Sequence, residues 1–82
     1  MDDIDFLTPE QKTDNDVTAM SYSVSAIFNA IADCKHTPEE HATIDRNVGH
    51  LEHMLLQERI ANHPSDKTSF YSAITLGKEH LA

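Results

Sequence analysis

Apolar side chains recur at alternating steps of three and four in three separate stretches of this chain. That spacing matches one face of an α-helix and not the two-residue period of a strand. In the first stretch Val17, Met20, Val24, Ile27, Ile31 and Cys34 form a heptad seam, widened by Phe28. In the second, Ile44, Val48, Leu51 and Leu55 share a face, and in the third Phe70, Ile74, Gly77 and Leu81 repeat the pattern, with Tyr71 and Ala73 alongside. No segment reads as a strand. The expected fold is all-α: a small three-helix bundle, or a helical hairpin plus a helix, self-associating and preceded by an acidic N-terminal arm.

Local signals set the expected boundaries. "TPEQ" at 8–11 and "TPEE" at 37–40 each offer a Thr N-cap, a Pro at the first helical position and Gln or Glu to complete a capping box. After the first comes "KTDND", whose side chains compete with helical backbone. The expectation there is a short turn at Pro9–Lys12 and a fresh start at Asn15 or Asp16, although one continuous helix from Pro9 also fits. After the second, helical periodicity runs on to Asn62, and "NHPSDK" ends it, because Pro64 disfavours helical geometry at His63. Ser65 or Asp66 then caps a third helix. The resulting division is an arm at 1–16 and a helical domain at 17–82, with helices at about 17–35, 38–62 and 65–80.

Length and charge narrow the functional classes. Eighty-two residues make one domain near the lower size limit for an unaided core, so self-association would add stability. The single Cys34 precludes an internal disulfide, and no basic segment followed by an apolar run marks a secretory signal. A cytoplasmic setting is the expectation. The net charge of −8 disfavours nucleic-acid backbones, which need clustered Lys and Arg, and anionic membranes. Of that charge, −5 belongs to residues 1–16, where six acids meet only Lys12. The uncharged run "VTAMSYSVSAIFNAIA" at 17–32 is too short and too rich in Ser, Thr and Asn to span a membrane.

Candidate contact residues come from what the seams leave over. Ala19, Ser23, Ala26 and Ala30 lie beside the first seam, where small side chains admit a close backbone, either the third helix or another chain. Ala42, Gly49, Leu56 and Ile60 make a second stripe on the second helix. Gly49 costs about 1 kcal/mol relative to Ala inside a helix, for which a close helix crossing or simple tolerance would account, and Gly77 is either another close crossing or an early C-terminal break. In "DDIDFL", the anchors Ile4, Phe6 and Leu7 alternate with acids, as suits an arm inserted into a groove on a basic protein, or folded back on its own core. The expected partner surface is therefore Ile4, Phe6, Leu7, Ala19, Ser23, Ala26, Ala30, Gly49, Leu56 and Ile60.

Chemical motifs are weak. His50 and His53 sit one helical turn apart, a spacing that can share a metal ion, but two ligands are too few unless His36, His41, an acid or a second subunit contributes. Cys34 with His36 evokes a nucleophile and base, yet Cys34 falls on the apolar seam. The expectation is no catalytic residue, no metal ligand and no cofactor. It points to a non-enzymatic accessory or regulatory subunit that works by protein–protein contact, as a dimer or on a larger partner. The alternatives are an acidic inhibitor of a nucleic-acid-binding protein and a His-based module responsive to metal or pH.

Overall fold

The computed structural model describes residues 8–33 and 35–82, and these form four helices: α1 (Pro9–Asp33), α2 (Pro38–Leu55), α3 (Glu58–Ala61) and α4 (Thr68–Leu81). The all-α class holds.

Helix α1 opens on a complete capping box. The Gln11 N–H donates to Thr8 Oγ1 at 3.1 Å, and the Thr8 N–H donates to Gln11 Oε1 at 2.9 Å. The helix then runs through "KTDND" without the break expected at Asn15 or Asp16, so the boundary at 16/17 falls inside a helix. Three of the side chains in that stretch, Thr13, Asp14 and Asp16, have partners of their own. Thr13 and Thr18 donate their hydroxyls to the carbonyls of Pro9 and Asp14, four residues back. Asp14 and Asp16 reach across to His63 and Arg59, at 2.7 and 2.6 Å.

Helix α2 starts as expected, with the Glu40 N–H donating to the Thr37 hydroxyl at 3.1 Å. It stops at Leu55, seven residues short of the expected Asn62, and the chain re-enters a single helical turn, α3, after an extended Gln57 (φ −80°, ψ 130°). The break has a packing consequence. On an unbroken helix Ile60 shares the outer stripe with Ala42, Gly49 and Leu56; after the kink Ile60 is 0 % exposed, while Leu56 stays 85 % exposed. The second stripe of α2 is therefore not a face at all. Helix α4 begins at Thr68 with Lys67, not the expected Ser65 or Asp66, at the N-cap position and no side-chain cap bond from it; Asp66, one residue earlier, accepts the Thr68 N–H on Oδ1 at 2.9 Å.

The three long helices run up, down and up. Ser23 meets His50, which sets α1 against α2, and α4 lies antiparallel to α2, with Lys78 beside Glu52 and His80 beside Glu40. At Gly77, a Cβ would lie 2.5 Å from Val48 Cγ2, 3.2 Å from Ile44 Cγ2 and 3.5 Å from Ile27 Cγ2, so the missing side chain lets α4 settle into the groove between α1 and α2. Met20, Ile27, Ile44, Leu51 and Ile60 form the fully buried centre, closed by Val24, Val48, Met54, Phe70 and Ala73. Among the described residues no helix is long and apolar enough to cross a membrane.

Candidate functional site: a histidine cluster and two outward faces

The most chemically specific grouping sits where the α1–α2 connection meets the last turn of α4. His36 lies in the connection with φ 53°, a left-handed conformation that lets the chain turn sharply between the helices. His41 is in the first turn of α2 and His80 in the last turn of α4. The helices' antiparallel packing brings the three imidazoles together. One ring nitrogen from each lies within 4.8 Å of the others. The His36 and His80 rings stack, with centroids 4.9 Å apart and planes 9° from parallel, while His41 stands edge-on to both.

Glu40 organises this corner. The sequence signal assigns its carboxylate to the N-cap of α2, but instead it reaches past Thr37 and accepts the N–H groups of Lys35 at 3.1 Å and His36 at 3.4 Å. Its Oε1 also lies 3.1 Å from His80 Nε2. The side chain is buried. Burial works to raise the Glu40 carboxyl, but the backbone donors of Lys35 and His36, with the His80 ring, outweigh it and hold the group below the ordinary carboxylate range. An ionised acceptor thus fixes both the turn and one of the three rings.

The expected contact residues scatter. Ile4, Phe6 and Leu7 lie outside the described residues. Ser23 is buried, its hydroxyl 2.8 Å from His50 Nδ1, and Ala26 and Ala30 line a shallow cleft with Lys35, Thr37, Glu40 and Thr43. Ser23, Ala26 and Ala30 thus lie on the side of α1 that meets α2 and the connection leading to it, while Ala19 is half-buried. Gly49 is exposed with nothing within 4 Å of its Cβ position, so it marks no helix crossing; Gly77 does. Ile60 belongs to the core. Of the expected surface on α2 and α3, Leu56 alone projects into solvent as a large apolar group, joining Leu55, Tyr71, Ile74 and Glu52 around an open groove. A second face, on α4, presents Thr68, Tyr71, Ser72, Thr75 and Leu76.

The histidines are sorted differently from their spacing. His50 is taken up by Ser23 and His53 is exposed, whereas His80, 39 residues beyond His41, completes the cluster. Sequence spacing carries no signal for that meeting. In the cleft between the start of α1 and the α3–α4 connection, His63 has both ring nitrogens engaged. Nε2 lies 2.7 Å from Asp14 Oδ1 and Nδ1 accepts the Ser65 N–H at 3.2 Å. Compared with protein-family models, curated proteins and solved structures, the chain finds no match.

Proposed function

We propose that the protein is a small cytoplasmic, non-enzymatic interaction module that works as a homodimer, paired through the outer face of α4. The observation that carries this reading is the composition of that face. Two copies of a chain with a net charge of −8 repel each other unless they meet where charge is scarce. From Thr68 to Gly77 α4 has no charged side chain, and its outward residues Thr68, Tyr71, Ser72, Thr75 and Leu76 follow the i, i+3, i+4, i+7, i+8 spacing of one helical stripe. Tyr71 and Leu76 are 56 % and 43 % exposed.

The stripe is self-complementary. With two α4 helices antiparallel about a two-fold axis centred between Ala73 and Ile74, Tyr71 of each copy faces Leu76 of the other, and Ser72 faces Thr75. Leu56, beside Tyr71, extends the apolar area. An interface of this size belongs with the weak, concentration-dependent class below about 1,200 Å². Such a module serves as an accessory or regulatory subunit whose pairing sets what else its helices present.

Sedimentation equilibrium across a wide concentration range tests the reading. The wild type is expected to shift from monomer to dimer, and Ser72→Glu to remain monomeric with unchanged helical circular dichroism. The double variant Ser72→Glu/Thr75→Lys, which sets each new acid opposite a new base, is expected to recover the dimer. A wild type that stays monomeric throughout, or a double variant no better than the single one, overturns it.

A further inference from the structure

We propose that His36, His41 and His80 form a binding site for one divalent transition-metal ion of the Zn(II) class, with a fourth position left to water or an external ligand. The site lies at the opposite end of α2 from Leu56 and stands independently of the pairing through α4. Its first support is convergence. Three imidazoles from three elements place ring nitrogens within 4.8 Å of one another. A tetrahedral ion with Zn–N bonds of about 2.0–2.1 Å holds its nitrogens roughly 3.3 Å apart, so binding draws the nitrogens together and turns the stacked His36 ring out of its 9° alignment with His80 until their in-plane lone pairs converge. His36 is exposed and sits on the interhelical connection, so it has room to draw in toward His80, which Glu40 holds in place.

The second support is the group behind the rings. Metal-bound histidines characteristically give their other nitrogen to a carboxylate, which fixes ring orientation and raises ligand basicity. Buried Glu40, itself held by the backbone of Lys35 and His36, occupies that position for His80: it takes up Nε2 and leaves Nδ1 for a further partner. The third is ligand chemistry. Imidazole suits Zn, Cu and Ni, whereas Mg and Ca require oxygen donors.

Calorimetric titration of zinc chloride into the full chain tests this, run in parallel on Cys34→Ser so that the thiol is excluded as the source of binding. One equivalent is expected to bind in both proteins and to raise the melting temperature. His36→Asn keeps a residue that tolerates the left-handed backbone while removing the imidazole. It and His41→Gln are each expected to weaken binding by at least the ~10–100-fold seen when an outer-shell partner is lost. His50→Gln is expected to bind as the wild type does. Circular dichroism checks that each variant folds; should His41→Gln not fold, exposed His36→Asn decides alone. Absence of saturable binding, undiminished binding in folded His36→Asn, or loss confined to Cys34→Ser overturns the proposal.

Discussion

The two glycines give opposite answers to the same substitution. At Gly77 an added Cβ meets Val48 Cγ2 at 2.5 Å and Ile44 Cγ2 at 3.2 Å, both on β-branched side chains with little rotamer freedom. Overpacking of this kind costs about 1–3 kcal/mol, while the gain in helix propensity from Gly to Ala offsets only about 1 kcal/mol. Gly77→Ala is therefore expected to lower the urea midpoint. At Gly49 nothing lies within 4 Å, so only the propensity term acts, and Gly49→Ala is expected to raise stability by up to about 1 kcal/mol in the same assay. A sequence reading offers a close crossing at either glycine, with simple tolerance as the alternative at Gly49 and an early helix break as the alternative at Gly77. What decides the matter is which helix face meets a neighbour, and that is not written in the residue's own vicinity.

At the scale of elements, the caps carry the testable consequences. Thr37 accepts the Glu40 N–H at the start of α2, and Thr37→Ala is expected to cost about 1 kcal/mol, read as a lower thermal midpoint. At the start of α4 the Asp66 carboxyl accepts the backbone N–H and the hydroxyl of Thr68, and these bonds, helped by Lys67, hold it below its ordinary value against the opposing effect of burial. A carboxyl lowered in the folded state stabilises it at pH values above the unfolded-state pKa of about 3.9 and loses that contribution as pH falls through the folded value. The stability gap between the wild type and Asp66→Ala is thus expected to be full at neutral pH and to shrink on acidification below about pH 4; a gap that does not change with pH contradicts the assignment. The Thr37 cap was legible from "TPEE" because capping acts over three or four residues, and "PSDK" marked the region where α4 starts without fixing its N-cap, which is Lys67. The split of the second helix was not, since Leu56 and Ile60 keep helical spacing across the break and only the packed core distinguishes buried Ile60 from exposed Leu56.

For the whole molecule, size governs the outcome of any core change. Domains are stabilised by about 0.05–0.15 kcal/mol per residue, which places a chain of this length in the range of roughly 4–12 kcal/mol. Leu51 is 0 % exposed at the centre where α1, α2 and α4 meet, and truncating a buried Leu costs about 2–5 kcal/mol. Leu51→Ala is expected to be partly or wholly unfolded at 37 °C, with far-ultraviolet circular dichroism as the readout, whereas the same change at exposed Leu56 leaves the melting curve nearly unmoved. The pair separates an apolar residue that holds the fold from one that remains free for contact.

By itself the sequence determined the class and the capped start of α2, while it left the start of α1 open between Pro9 and Val17 and set the last helix at about 65, ahead of Thr68. The three-and-four spacing of Val17 to Ile31, of Ile44 to Leu55 and of Phe70 to Leu81 leaves helices as the way to gather those side chains, and capping chemistry is local. The tertiary structure alone decided the rest. It set the Ser23 side of α1 against α2, turned Ile60 inward and Leu56 outward, seated α4 on Gly77, and joined His80 to His36 and His41. The physical reason is range. Periodicity and caps act within one or two helical turns, whereas facing, crossing and convergence depend on the rotation and direction of whole helices, which the shared core fixes only once all of them are packed.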